Sequence, residues 1–160
     1  YLKTLKYQAE DFVPVMACPS QVDKIRNVTE VEGTVIDQVF LGSCTNGRLE
    51  DLRSAAEVLD GKKVAPFVKM IVTPASRKVY EEALREGILE KLIEAGAIVT
   101  HPGCGLCCGR TGGILSDGER VVATNNRNFL GRMGTSKVEI YLASPKTAAA
   151  CAIAGKIVNP

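Results

Sequence analysis

Two glycine-rich segments of this 160-residue chain carry the side chains best suited to chemistry. Residues 102–109 (Pro-Gly-Cys-Gly-Leu-Cys-Cys-Gly) contain three thiols, and residues 42–47 (Gly-Ser-Cys-Thr-Asn-Gly) place one cysteine between two glycines. Glycine lets the backbone adopt positive φ and approach a bound group closely, and thiolates bind soft metals. Cys44, Cys104 and Cys107 therefore form one candidate metal site, in which a fourth ligand position can stay open.

The Cys-x-x-Cys spacing of Cys104 and Cys107 is compatible with several kinds of site. A structural zinc site uses four closed ligands, commonly from two such pairs, and a thioredoxin-like pair does not need a distant thiol such as Cys44. Three thiolates in glycine-rich loops suit a [4Fe-4S] cluster in which one iron has no protein ligand. That iron would be a Lewis acid open to substrate. The spacing alone leaves zinc and redox-active or inert thiols as alternatives.

The other cysteines and the single histidine are expected to lie outside this site. Cys108 directly follows Cys107, so its side chain should point elsewhere, and Cys151 falls on an alanine-rich helix where a buried thiol is the usual case. Cys18 precedes a proline and is interpreted as a buried or incidental thiol. His101, also before a proline, is predicted to be a partly exposed loop residue.

Residues 124–132 (Thr-Asn-Asn-Arg-Asn-Phe-Leu-Gly-Arg) form a second unusual segment, with three asparagines and two arginines directly after an apolar run. Arginine binds carboxylates in a bidentate manner, and asparagine can orient hydroxyl groups or cluster sulfur. A solvated turn is the alternative, because asparagine and glycine favour turns. Arg110 and Arg120 are interpreted as surface charges.

Apolar periodicity predicts strands that alternate with helices. Strands are expected at 35–41, 68–73, 97–100, 121–124 and 138–143, and helices at 48–60, from 76 to 96 with a break at Gly87, and at 146–154. This alternation indicates an α/β domain over 35–160, with a mainly parallel sheet flanked by helices in three α/β/α layers. Residues 1–34 are expected to be an irregular lead-in.

The predicted topology brings the unusual loops together. Ligands of parallel sheets bind at the carboxyl ends of the strands, and the loops after the strands at 35–41, 97–100 and 121–124 should meet at one such edge. Thr45 or Asn46 is expected to cap the first helix. That cap would place Cys44 at a helix N-terminus, where free N–H groups stabilise a thiolate.

Composition excludes several classes of function. Hydrophobic residues make up 46% of the chain, enough for a folded core, while a net charge of +2 and 5% aromatic residues argue against a nucleic-acid partner. No apolar run has the length of a membrane span and no signal peptide is visible, so a cytoplasmic location is expected. The six cysteines then favour metal binding over disulfides. Because the chain starts at Tyr1, we expect it to be a processed, cloned or proteolysed piece, or only part of a longer polypeptide.

Three ordered motifs of the chain resemble the signatures of the aconitase superfamily. They are Gly-Ser-Cys-Thr-Asn-Gly (42–47), Pro-Gly-Cys-Gly-Leu-Cys (102–107) and Asn-Arg-Asn-Phe-Leu-Gly-Arg (126–132), followed by Ser-Pro-Lys-Thr-Ala-Ala-Ala (144–150). The form of residues 38–48 is most similar to large subunits of 3-isopropylmalate dehydratase and homoaconitase. Large subunits of this family are far longer, so the chain resembles only their last domain.

The resemblance implies a site and a reaction. It implies a [4Fe-4S] cluster held by Cys44, Cys104 and Cys107. It also implies that Asn126, Arg127 and Arg132 position a hydroxy di- or tricarboxylic acid such as 3-isopropylmalate or homocitrate. The reaction would be the removal of water and its re-addition, in leucine or related amino-acid biosynthesis.

The resemblance also implies a partner, because the general base belongs to a separate, swivelling small subunit. The isolated chain is therefore expected to be inactive. The alternative function is a non-catalytic iron–sulfur or zinc module used for redox sensing or binding.

Overall fold

A seven-stranded sheet organises the computed structural model, which describes residues 1–160. Its strands are β1 (Val15–Ala17), β2 (Ile25–Asn27), β3 (Gln38–Gly42), β4 (Lys69–Thr73), β5 (Ile98–Val99), β6 (Arg120–Ala123) and β7 (Glu139–Leu142). They are arranged in the order β2-β1-β7-β6-β3-β4-β5. The five strands from β7 to β5 pair in parallel, whereas β1 pairs antiparallel with β2 and β7. The predicted α/β class with a mainly parallel sheet is confirmed.

Five α-helices accompany the sheet, and their ends follow the sequence signals for helix starts and stops. They are α1 (Val28–Val31), α2 (Leu49–Leu59), α3 (Arg77–Arg85), α4 (Ile88–Glu94) and α5 (Pro145–Ala154). Helix α5 begins as predicted, since Ser144 Oγ accepts a hydrogen bond from the Thr147 N–H at 3.2 Å and proline occupies the first turn. Gly155 ends it in the left-handed conformation. None of the helices is both long and apolar enough to cross a bilayer.

The two faces of the sheet are covered in different ways. Val39 and Leu41 of β3 belong to a cluster of 27 buried residues that also contains the apolar sides of α2, α4 and α5. Phe40 belongs to a second cluster of nine residues, which Leu106, Leu115 and Met133 complete from the connections around β6. The second covering layer therefore consists of loops and a short 3-10 helix (Gly105–Cys108) in place of α-helices. The cysteine loop is itself part of this layer.

Two local expectations were wrong. Residues 1–34 are not wholly irregular, because they contain β1, β2 and α1. Strands of three residues are too short to show an alternating pattern, and β1 is defined by its pairing with β2 along its length and with β7 at Ala17. The division of the chain at residue 35 stays a prediction. Helix α2 begins at Leu49, so Arg48 is its N-cap residue and its N–H donates to the Asp51 carboxylate at 3.0 Å.

Cys151 on α5 is expected to make stability depend on pH. It is fully buried, as predicted, and burial raises the pKa of its thiol to about 11 from 9.0. Above about pH 9 the unfolded chain loses this proton while the folded chain keeps it, so the free energy of unfolding falls as pH rises. We expect a loss of about 2 kcal/mol between about pH 8 and about pH 10.5 from this thiol.

Urea unfolding of the wild type and of Cys151→Ala at the two pH values measures this contribution. Tyr141, whose pKa burial raises to about 12, remains in both proteins and cancels in the comparison. The alanine variant should lose less stability on alkalinisation than the wild type. Equal losses in the two proteins would contradict the assignment to Cys151.

Candidate functional site

The loops after β3, β5 and β6 meet at one edge of the sheet, as predicted. The chain runs from β3 to β4 and β5 on one side, and β6 lies on the other side of β3. Connections that leave neighbouring strands towards opposite faces open a crevice at the carboxyl ends of those strands, which is where open α/β sheets bind ligands. The cysteine at position 44 and the segment 124–132 border this crevice.

Hydrogen bonds join the β3 loop to the β6 loop. The Gly42 N–H donates to Thr124 Oγ1 at 2.8 Å, and Asn126 Nδ2 donates to Thr45 Oγ1 at 2.8 Å. Asn46 Nδ2 donates to Asn126 Oδ1 at 2.7 Å. Thr45 and Asn46 therefore connect two loops and do not cap α2, and Cys44 precedes the helix by five residues. The predicted placement of Cys44 at the helix N-terminus is wrong for this reason.

Both cysteine loops pack against Thr73, at the end of β4. Gly42 has φ +118° and Gly105 has φ +53°, a region that favours glycine. A Cβ atom on Gly42 would collide with the Thr73 carbonyl oxygen, and one on Gly105 would collide with Thr73 Oγ1 and the Phe40 ring. Glycine is thus required at both positions, because of the backbone conformation and because there is no space for a Cβ atom. Each glycine thereby constrains the loop that carries the nearby cysteine.

The structure brings two of the three predicted thiols together. The Sγ atoms of Cys44 and Cys104 lie 4.0 Å apart, and both side chains are exposed. The hydrogen bond with Cys44 and the negative charge of that thiolate raise the pKa of Cys104, and burial and the nearby thiols of Cys108 and Cys107 add to the rise. A negative charge on one of these sulfurs disfavours a second one beside it, so a cationic centre bound there would relieve the repulsion.

Cys107 is half-buried and has two N–H donors at its sulfur. Asn125 Nδ2 lies 3.4 Å from Cys107 Sγ, and Arg132 Nη2 lies 3.7 Å from it. Arg132 Nε also donates to the Cys107 backbone oxygen. Such N–H groups can donate hydrogen bonds to a sulfur that binds a metal. Asn125 was not among the predicted site residues, although its position directly after β6, beside Asn126, is a signal that could have found it.

The chemistry of the donor set is suited to an iron–sulfur cluster. No group of three or more His, Cys, Asp or Glu side chains is arranged to hold one metal ion, and a structural zinc site needs four such ligands around one centre. A [4Fe-4S] cluster binds its thiolates through different irons, which requires wider spacing. Three thiols on glycine-rich loops, with N–H donors at one sulfur, meet the chemical requirements of such a cluster.

The structure also places Arg127 and Arg132 at this edge without a carboxylate partner. Neither guanidinium forms an ion pair with Asp or Glu of the chain, whose nine ion pairs involve other residues. Arg127 is exposed and donates only weakly to the Asn126 backbone oxygen, at 3.4 Å. Arg132 is half-buried against Cys107. Both cations are thus available to an anionic ligand.

The remaining candidates lie where the sequence indicated. Cys108 Sγ contacts the Gly105 carbonyl oxygen at 3.5 Å. Cys18 is buried, and burial raises the pKa of its thiol. His101 is exposed in the loop after β5. Arg120 pairs with Glu139 at 2.7 Å on the sheet surface. The Cys108 thiol nevertheless adds to the rise in the pKa of Cys104, so it lies near the candidate site.

Comparison with known proteins identifies relatives along the whole chain. Residues 6–155 match the aconitase family (aconitate hydratase). The chain is 53% identical over 160 residues to the homoaconitase large subunit of Thermus thermophilus and 55% identical over 160 residues to the 3-isopropylmalate dehydratase large subunit 1 of Methanopyrus kandleri. It is 51% identical over 160 residues to the 3-isopropylmalate dehydratase large subunit of Nitratidesulfovibrio vulgaris.

Each of these alignments covers all of this chain and 38% of the relative. The chain therefore spans about two fifths of the length of the curated relatives that it matches. Proteins of the matched family generally carry an iron–sulfur cluster, and the thiols at the sheet edge are suitable ligands for one. From its match over nearly all its length, the chain belongs to the aconitase family.

Proposed function

We propose that this chain is the cluster-bearing part of the large subunit of a hydro-lyase. The substrate is a 2- or 3-substituted malate of the 3-isopropylmalate or homocitrate/homoaconitate type, which is dehydrated and then rehydrated at the neighbouring carbon. The observation that carries the proposal is the approach of Cys44 to Cys104, with Cys107 and its Arg132 neighbour on loops at the same edge of the sheet. The three relatives named above each share more than half of their aligned residues with the chain, and all are large subunits with names of this kind.

Cys44, Cys104 and Cys107 would hold a [4Fe-4S] cluster. Such a cluster with one iron free of protein ligands supplies a Lewis acid, which helps a poor leaving group such as hydroxide to depart. The chain's own contribution is to keep the three sulfurs on rigid loops. Gly42 and Gly105 fix those loops against Thr73, and Leu106 anchors the second loop in the core.

Arg127 and Arg132 would bind the carboxylates of the substrate. A guanidinium matches a carboxylate in a bidentate pair, and these two have no competing carboxylate within the chain. Asn126, held by Thr45 and Asn46, presents an exposed amide that can orient the substrate hydroxyl.

The chain presents no side chain that we assign as the general base. We therefore propose that the base comes from a separate small subunit, in agreement with the "large subunit" names of the relatives. The alternative of a non-catalytic iron–sulfur or zinc module has weaker support, because such a module has no use for two unpaired arginines at the cluster edge. A cytoplasmic location stays a prediction.

Conservative replacement of the arginines tests the substrate role. In the complete large subunit with its small subunit, Arg127→Lys and Arg132→Lys should each lower kcat/KM for the hydroxy acid by about 10- to 100-fold, because lysine cannot form the bidentate pair. Iron and sulfide content should stay at the wild-type level. Arg110→Lys, at an exposed arginine of the same edge, is the matched control and should keep its activity.

The same assay tests the function itself. Wild-type protein with a full cluster that turns over neither 3-isopropylmalate nor homocitrate would overturn the hydro-lyase proposal. If turnover is unaffected by either lysine substitution, the hydro-lyase proposal would stand, but the two arginines would have no role in substrate binding.

A further inference from the structure

Asn125 occupies a buried position directly behind Cys107. Its side chain is 3% exposed, and Nδ2 donates to Cys107 Sγ at 3.4 Å and to the Arg127 backbone oxygen at 3.1 Å. Both of these neighbours are acceptors, so a flipped amide would place Oδ1 against sulfur and oxygen. The contacts therefore fix which end of the amide faces Cys107.

The other end of this amide has no partner. Oδ1 of Asn125 is buried and accepts no hydrogen bond, which is an uncommon state for a polar atom in a folded protein. The side chain thus leaves its oxygen unsatisfied while it holds an N–H against sulfur. Since a structural role would be served better by a fully bonded or apolar side chain, the contact with Cys107 is the feature to explain.

We propose that Asn125 is a positioning residue that donates a hydrogen bond to the Cys107 sulfur and thereby raises the reduction potential of the cluster. This inference rests on the proposed function, in which Cys107 is a cluster ligand. The positive end of an N–H dipole next to a ligand sulfur stabilises the negative charge that an added electron brings, and hydrogen bonds to sulfur are one determinant of cluster potentials. Asn125 therefore disfavours oxidation of the cluster without touching the substrate.

Arg132 also donates to this sulfur, at the longer distance of 3.7 Å. Its guanidinium belongs to the proposed substrate site, so a change there would alter binding and potential together. Asn125 contacts the proposed substrate site only through the Arg127 backbone oxygen, so KM measured beside the potential shows whether that contact matters.

Asn128 provides a matched control three residues away. It is 1% exposed and its Oδ1 is likewise buried without a partner. Its Nδ2 donates to the backbone oxygens of Cys18 and Gln21, at 2.8 and 3.1 Å, and not to sulfur. Both asparagines are thus buried, and each has a side-chain oxygen without a hydrogen-bond partner. They differ in the acceptors of their Nδ2 groups, which include a sulfur only for Asn125.

The test is an anaerobic redox titration of the reconstituted complete protein, followed by EPR, with thermal unfolding in parallel. Asn125→Ser and Asn125→Leu should each disfavour reduction by about tenfold, a shift of about 59 mV towards negative values for a one-electron couple. KM should stay within about twofold of the wild type. Asn128→Ser should lower Tm and leave the potential unchanged.

The outcomes separate this inference from the proposed function. If the Asn125 variants lose stability while the potential stays at the wild-type value, Asn125 serves only to hold the Arg127 backbone. The inference about the potential is then overturned, and the proposed function stands. An equal shift in Asn128→Ser would also overturn it, because the effect would then not depend on contact with sulfur. Failure of the wild type to bind iron and sulfide would overturn the proposed function as well.

Discussion

Replacement of any one of Cys44, Cys104 and Cys107 with serine is expected to abolish cluster binding and the hydro-lyase activity of the complete protein. A serine hydroxyl is similar in size to a thiol but does not ionise near neutral pH, and it lacks the soft donor atom that iron–sulfur clusters use. We expect iron and acid-labile sulfide to fall to background in each variant. Activity should drop by more than about 1,000-fold, because the Lewis acid is lost.

Cys108→Ser is the control for these three substitutions. Its Sγ contacts the Gly105 carbonyl oxygen, a contact that a hydroxyl group can reproduce, so the variant should keep its iron and its activity. Full iron and sulfide in Cys44→Ser would remove Cys44 from the ligand set. Loss of the cluster in Cys108→Ser would instead make Cys108 a ligand.

Substitution of Gly42 is expected to have the second large effect. In Gly42→Ala the new methyl group would meet the backbone oxygen of Thr73, which cannot rotate away, at a residue whose φ is +118°. Strain and overlap together should lower the free energy of unfolding by about 3–5 kcal/mol. The Cys44 loop would shift at the same time, so the cluster content should fall.

Gly118→Ala separates the effect of backbone strain from the effect of steric overlap of the new methyl group. Gly118 also has a positive φ, +82°, but a Cβ atom there has no heavy atom within 4 Å. We expect a cost of about 1–2 kcal/mol and a normal cluster content. Urea unfolding together with iron analysis measures both variants. Similar losses of stability in Gly42→Ala and Gly118→Ala would mean that the contact with Thr73 does not constrain the loop.

Much of the site could be predicted from the sequence because its chemistry lies in residue types. Few kinds of site place thiols between glycines. A strand before each loop then places Cys44, Cys104 and Asn126 at the same edge of a parallel sheet. The pairing of β3 with both β4 and β6 confirms that edge. The glycines were expected to permit close approach, and Gly42 and Gly105 do so against Thr73.

The contacts across loops could not be predicted, because they depend on tertiary packing. Asn125 has the same sequence signal as its neighbour, yet its side chain turns inward to Cys107 while Asn126 turns towards Thr45. In the same way, Asn46 is a good N-cap residue by type, but its amide bonds to Asn126 and the helix begins later. Strand β1 is too short to be found without its partners β2 and β7.

The measurement that tests the central claim most directly is the metal content of the complete large subunit after anaerobic reconstitution with iron and sulfide. A cluster held by Cys44, Cys104 and Cys107 predicts about four irons and four sulfides per chain, which convert on mild oxidation to a paramagnetic three-iron species. Tightly bound zinc without sulfide would contradict the account and make these cysteines a structural metal site.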